Sequence, residues 1–265
     1  MNATAIAILS IGTYLISTRL IIKHFSQRHL NRSALYIGWL AVFSHFLYTA
    51  FIFQQHDGFS FSFFSTGSLI AMIVALLLLI AALNKPVATL GIAIFPIAAS
   101  MLALEVKFST QSQELSQYNW EMSTHILTSI IAFSLLNIAA LQAILLAFQD
   151  QQLKSHPPKH FIQSLPPLQT METLLFQMLG TGLFFLTLSL ATGFLFIDDL
   201  FAQHLVHKTV LSILAWIIFM GLLIGRSLYG WRGKIAMKWT LIGFVLLLLA
   251  YFGSKLVLEL ILHRG

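Results

Sequence analysis

Cysteine is absent from the chain, which removes disulfides, thiolate metal sites and thiol redox chemistry from consideration. Charge is almost as scarce. Asp, Glu, Lys and Arg make up 9% of the residues, against about 25% in a soluble globular domain. A chain of 265 residues with so little charge cannot coat a water-facing surface of its own size. Also missing are a phosphate-binding glycine loop, a nucleophile elbow and a His-Glu zinc motif. No acid and base stand paired, so no enzymatic activity is expected. What the chain has in abundance is apolar: 58% of the residues, with a mean hydropathy of +0.85. Lipid must solvate most of such a surface.

A bilayer core about 30 Å thick is crossed by roughly 20 residues at about 1.5 Å each. Eight stretches approach that length: Ala3–Ile22, Ala34–Phe53, Gly67–Leu83, Val87–Leu104, Met122–Phe148, Leu174–Ile197, Thr209–Leu228 and Trp239–Leu262. The expected architecture is an all-α, polytopic bundle of about eight transmembrane helices in a single transmembrane domain over residues 1–265. The third and fourth spans are separated only by Asn84-Lys85-Pro86, which reads as a tight turn. The alternating run Phe59–Phe63 is expected to lie at the interface or to lengthen the third helix. Gln149–Thr173, with Pro157-Pro158 and Pro166-Pro167, reads as an irregular connection. Met1-Asn2-Ala3-Thr4 offers no basic leader before the first apolar run, so that run is expected to stay as a helix and not to be cleaved.

The net charge of +6 does not point to nucleic acid, because the basic residues sit in short clusters between apolar runs. Their distribution sets topology. Eleven of the fifteen lysines and arginines flank the first, third, fifth and seventh connections, with clusters at Arg19–Arg32 and Arg226–Lys238. Lys107, Lys208, Lys255 and Arg264 are left for the other side. That split predicts both termini outside (N-out/C-out) in a bacterial inner membrane. Asp57, Glu105, Glu114, Glu121, Asp198 and Asp199 are read as lying in the outer connections. Gly182, Ser189 and Gly193 share one face of the sixth span and mark a close helix contact. Trp120, Trp231 and Trp239 fall at span ends, as an anchoring aromatic belt would.

Ten histidines are the richest chemical signal. His24, His29, His156 and His160 sit among basic residues in cytoplasmic connections and receive no role. His56, His204 and His263 are placed toward the outer side. His45 lies within the second span, and an ionisable group there is a functional candidate, since burying one in lipid is costly. Ser44 and Tyr48 beside it are equally consistent with an ordinary polar neighbourhood. His125 opens the fifth span and His207 the seventh, both at their outer ends. Two imidazoles from different helices at one depth are the minimum for holding a haem iron from both faces. Histidines at helix ends also occur without any cofactor, so the residues alone leave the role of this pair open. Asp198 and Asp199 read as a solvated loop, with a cation site or a partner for Lys208 as the alternatives. A small-molecule or metal-ion transporter using His45 and the outer acids is a further alternative, although no inverted repeat or broken helix pair is evident.

The C-terminal half adds a more specific pattern. In order come His125-Ile126-Leu127, then Leu179-Gly180-Thr181-Gly182-Leu183 with Leu186-Thr187, and Ala191-Thr192-Gly193. These are followed by Lys208-Thr209-Val210 ending in Trp216, by Gly230-Trp231-Arg232-Gly233, and by Tyr251-Phe252-Gly253. From His125 to Gly253 the chain resembles the cytochrome c assembly family of CcsA-type haem-handling membrane proteins, and within it the small HemX/YpjD-like branch. The resemblance implies haem handling, with haem b held near the outer face by histidines. It implies His125 as the first ligand, followed by His207 and His45, and it suggests cytochrome-assembly or haem-biosynthesis proteins as partners. His125 matches the family histidine that opens this helix, whereas His207 sits beside the matched Lys208 and is not itself a motif position. The tryptophan-rich platform of the assembly enzymes would fall within Phe194–Lys208, where this chain has no tryptophan. Ala132-Phe133-Ser134 stands where many relatives have Ser-Tyr-Ala. The resemblance therefore implies a transmembrane core without the ligation apparatus. A regulatory or scaffold protein that has lost haem is the alternative.

Overall fold

A computed structural model of the chain describes residues 3–25, 32–55, 62–108, 120–154, 165–196 and 206–253. Eight long helices carry it: α1 (Ala3–Phe25), α2 (Arg32–Gln55), α3 (Phe63–Asn84), α4 (Gly91–Lys107), α5 (Trp120–Lys154), α6 (Leu168–Phe196), α7 (Val206–Tyr229) and α8 (Lys234–Leu248). Each is long and apolar enough to cross a membrane, α4 counted with the short turn before it and α8 with the turn after it. No strand occurs among the described residues. Large side chains such as Leu195, Leu228 and Ile8 point outward with 76%, 70% and 65% exposure, an arrangement that lipid solvates and water does not. The protein is a multi-pass membrane helix bundle.

The helices form two compact units, α1–α4 and α5–α8. In the first, α1 packs on α2 and α4, and α3 packs on α2 and α4, closing a ring of four. Small hydroxyl residues join α1 to α2: Ser10 donates to the Ala41 carbonyl at 2.9 Å and Ser17 to the Ala34 carbonyl at 2.7 Å. In lipid, where apolar surface gives helices no reason to associate, such close packing and hydrogen bonding take over that role. The turn expected at Pro86 is present. α3 ends at Asn84, the Lys85 N–H caps it on Ala81, and a single 3-10 turn (Ala88–Leu90) leads into α4. Ser62 caps the start of α3 by accepting from the Ser65 N–H, so Phe63 begins the helix. Phe59–Phe61 lie outside the described residues.

The second unit closes in the same cyclic order, α5 on α6 and α8, and α7 on α6 and α8. The stripe of small residues on α6 is where α5 approaches. A Cβ on Gly182 would lie 2.8 Å from Leu136 Cγ, and Gly182, Ser189 and Gly193 are all buried. Phe133 of α5 anchors the other side, with Tyr251 at 4.7 Å, Phe252 at 5.7 Å and Phe244 at 5.8 Å between ring centroids. Tyr251 and Phe252 lie in a five-residue π turn, Leu249–Gly253, that ends the described part of the last span. The widened turn shifts the helical register and brings both rings toward Phe133. Residues 254–262, expected to complete that span, lie outside the described residues.

The Gly230–Gly233 segment has a structural explanation. Gly230 adopts φ 67° and its N–H closes α7 on the Arg226 carbonyl at 3.1 Å, a left-handed helix cap that glycine enters without steric cost. Trp231 then folds back over Gly225. The residue expected to anchor in an aromatic belt thus packs against α7. Gly233, at φ 53°, donates its N–H to the Glu172 carboxylate of α6 at 2.8 Å.

Two expectations need correction. Gln149–Thr173 is not irregular at its ends: α5 continues to Lys154 and α6 begins at Leu168. The extension of α5 carries a Lys154–Asp150 ion pair one turn apart at 2.5 Å, and Pro166-Pro167 sit just ahead of α6, where the missing proline N–H costs nothing. Glu121 is not in a connection but is the second residue of α5, and Glu105 is not in one either. It lies inside α4, two residues before its end, and is buried at 8% exposure.

Candidate functional site

His125 sits in the second turn of α5, half-buried, with its ring against α6. Its Nδ1 lies 2.9 Å from the Ser189 carbonyl oxygen and 3.3 Å from Thr192 Oγ1. A carbonyl oxygen only accepts, so this contact requires the ring proton to be on Nδ1. The lone pair then falls on Nε2, which no group among the described residues hydrogen-bonds. A backbone carbonyl holding one imidazole nitrogen while the other stays free is the usual arrangement behind a metal-bound histidine, because it fixes both tautomer and ring orientation. The backbone behind His125 is supported as well. Ser129 Oγ and Thr128 Oγ1 both donate to the His125 carbonyl.

His207 is the second residue of α7 and is exposed. It opens the seventh span, which starts at Val206 and not at Thr209. α5 and α7 both begin at the same end of their up-and-down ring, so His125 and His207 lie near one end of the second unit. No hydrogen bond or ring contact joins the two among the described residues. About two and a half turns further along α7, Trp216 donates its Nε1–H to Thr187 Oγ1 of α6 at 2.8 Å, which orients α7 against the same helix that holds His125. Among the described residues, no group of three or more His, Cys, Asp or Glu side chains is placed to share a metal ion. Any iron here would depend on one or two imidazoles.

His45 lies in the first unit and is fully buried. Both of its nitrogens are engaged: Nδ1 with the Tyr14 hydroxyl of α1 at 3.3 Å and Nε2 with Ser68 Oγ of α3 at 3.0 Å. In this geometry neither nitrogen offers a free lone pair. Ser44 bonds its own helix, to the Leu40 and Ala41 carbonyls. In the same unit Glu105 of α4 is also buried. His29, His56, His156, His160, His204 and His263, and also Asp198 and Asp199, lie outside the described residues.

The residues that sequence reasoning did not single out for the site are Ser189 and Thr192. Both were visible for other reasons, Ser189 in the stripe of small residues and Thr192 in the Ala191-Thr192-Gly193 landmark. Their link to His125 spans 64 and 67 positions, a separation at which residue spacing carries no information about contact.

Comparison with known proteins shows the family of the chain. The model of the family described as "Cytochrome C assembly protein" matches residues 28–262. "Inner membrane protein YpjD" of Escherichia coli strain K12 is 34% identical over 260 residues, covering 96% of this chain and 98% of the relative. "Cytochrome c biogenesis protein CcsA" of Chlamydomonas reinhardtii is 24% identical over 241 residues, 89% of this chain and 60% of the longer relative. An uncharacterized 28.8 kDa protein of Azospirillum brasilense is 34% identical over 140 residues, about half of each chain. No solved structure matches. With a family match running from residue 28 to residue 262 and a full-length relative sharing a third of its residues, this eight-helix membrane protein belongs to the cytochrome c assembly protein family.

Proposed function

We propose that the protein binds haem, as haem b, in the bacterial inner membrane, at the end of the second unit where α5 and α7 begin, and that it serves cytochrome or haem homeostasis. The observation that carries this reading is His125, whose Nδ1–H is held by the Ser189 carbonyl and whose Nε2 is left with its lone pair. His125 is the first axial ligand and His207 the second. His45 is left out of the ligand set, because Tyr14 and Ser68 occupy its two nitrogens. Bound haem would supply an iron of tunable potential. The chain's own part is to orient the ligand, through α6, and to surround the site with apolar side chains.

The spectrum of detergent-purified protein, oxidised and reduced and with haem titrated in, tests the reading directly. A Soret band with reduced α and β bands is expected. His207→Ala is expected to change the position of the reduced bands, as a change of axial ligand does, while haem is still retained through His125. Absence of any band after haem addition would overturn the reading. It would shift weight to a scaffold protein without haem, the reading that the lack of tryptophan between Phe194 and Lys208 favours.

The distribution of lysine and arginine supports an orientation with both termini, and the His125 end of α5, on the outer side of the membrane. A periplasm-dependent phosphatase reporter fused after Gly265 is expected to be active, and a fusion in the connection between α1 and α2 silent. The reverse pattern would place the proposed haem site at the cytoplasmic face.

A further inference from the structure

Arg226 stands in the last turn of α7, at the end of the second unit opposite to His125. Its guanidinium carbon lies 3.8 Å from the centroid of the Phe176 ring of α6, and Phe176 is itself buried. One face of the guanidinium is thereby closed to water. Its Nη1 is buried and has no hydrogen-bond partner among the described residues. The carboxylate one turn earlier on α6, that of Glu172, is turned elsewhere: it accepts the Gly233 N–H at 2.8 Å and forms no ion pair with Arg226.

Such a group needs an acceptor from outside these helices. A guanidinium keeps its charge on burial, and a charged donor shut away from water without a partner bears the full loss of its hydration. The Phe176 ring offsets part of that loss by cation–π attraction. It cannot accept in the plane of the N–H groups, where the guanidinium fork matches the oxygens of a phosphate, two parallel bonds at a time.

The depth of Arg226 indicates which phosphate. α6 has 29 residues and is about 43 Å long, against a bilayer core of about 30 Å, so its first turns extend past the core. α7 ends at Tyr229, about 5 Å beyond Arg226. This end of the unit is also basic. Residues 222–240 hold Arg226, Arg232, Lys234 and Lys238 and no acid. Arg232, Lys234 and Lys238 are exposed, and the two lysines, one turn apart on α8, share a face. Exposed cations at span ends are common and need nothing further. Arg226 differs from them, because its Nη1 is sealed off from water.

We propose that Arg226, with the basic end of α7 and α8, binds the phosphodiester of an anionic phospholipid. Arg226 supplies the fixed contact, oriented by Phe176, and Arg232, Lys234 and Lys238 draw the negative headgroup to it. Basic sites between transmembrane helices at headgroup depth take lipids of this kind. A free phosphate ion offers the same oxygens. The lipid is favoured because α7 and α8 leave Ile224, Leu228 and Ile235 exposed near the same depth, apolar surface that acyl chains cover and an ion does not.

Native mass spectrometry of the full-length protein in detergent, given equal amounts of phosphatidylglycerol and phosphatidylcholine, tests the site. Wild type is expected to retain phosphatidylglycerol about tenfold or more over phosphatidylcholine, the scale of one hydrogen bond to a charged group. Arg226→Gln is expected to lose that preference. Arg226→Lys keeps the charge without the planar fork and is expected to lower the preference by about threefold or more. Replacing Lys234 and Lys238 together by glutamine is expected to change it by less than about threefold, as exposed charges do. No preference in wild type, an undiminished one in Arg226→Gln, or an equal loss in the double lysine variant overturns the site. Displacement of the bound phosphatidylglycerol by millimolar inorganic phosphate overturns the lipid as its occupant. Should Arg226→Gln fail to fold, Arg226→Lys decides, and a preference equal to that of wild type overturns the proposal. The site shares no residue with the proposed haem ligands, so its failure leaves the haem reading untouched.

Discussion

Replacing His125 by alanine is expected to remove the Soret band from purified protein and to weaken haem binding on titration by more than about 100-fold. The estimate comes from the scale of supporting interactions: losing a group that merely orients a metal ligand costs about 10- to 100-fold in affinity, and losing the ligand itself costs more. The orienting group here is a main-chain carbonyl, that of Ser189 at 2.9 Å, so side-chain replacement at Ser189 leaves it in place. Thr192 is different. Its hydroxyl is a second and longer partner of Nδ1, at 3.3 Å, and it already donates within its own helix to the Leu188 and Ser189 carbonyls. Thr192→Val is therefore expected to cost less than about tenfold, at the lower end of that supporting range. Equilibrium titration of the three proteins with haem, followed by absorbance, measures both effects. A His125→Ala protein that binds haem as wild type does would exclude His125 as the ligand.

The largest expected effect on stability is at Gly225, near the far end of α7. A Cβ built there would lie 2.2 Å from Trp231 Cε3, with two further indole atoms within 2.7 Å. No real contact is that short, and the six-atom ring has no flexible end to yield, so Gly225→Ala must expel the indole from its place over the helix. The Trp231 N–H to Gly225 carbonyl bond at 3.2 Å and the cap at Gly230 would be pulled with it. Forced overpacking of this kind costs about 1–3 kcal/mol. Thermal unfolding in detergent is expected to show that loss for Gly225→Ala. In a Trp231→Ala background, where the obstacle is gone, the same glycine replacement is expected to be nearly neutral. The coupling in that double-mutant cycle is the measurement. Additive costs would show that the clash does not govern the loss.

Much of this architecture follows from local sums. Whether a stretch of about 20 residues prefers lipid to water depends on its composition alone, so the eight spans, including the two split by Asn84-Lys85-Pro86, were legible before any helix was placed. The family landmarks were legible for the same reason, and several of them became specific contacts. Gly182 abuts Leu136, Trp216 bonds Thr187, and Gly230 caps α7. Hydropathy failed where a polar residue belongs to a helix. Glu105 was assigned to a connection because the apolar run ends at Leu104, and Gln149–Lys154 was assigned to a loop because it is polar, yet both are helical. A helix does not end where its sequence turns polar. It ends where its backbone hydrogen bonds find caps or its side chains lose their neighbours.

What composition and order determined, then, is the solvent in which this chain folds, the number of its helices and the family to which it belongs. The chemical state of its histidines was decided by tertiary structure. His125 carries its proton on Nδ1 because a carbonyl 64 positions away on α6 faces that nitrogen. His45 has no nitrogen to spare because residues 31 positions before it and 23 after it meet its ring from two other helices. Glu105 is buried because α4 runs on past Leu104 and packs on α1 and α3. Each depends on how one helix is rotated against another, which packing and hydrogen bonding between helices settle together, and which no count along a single helix contains.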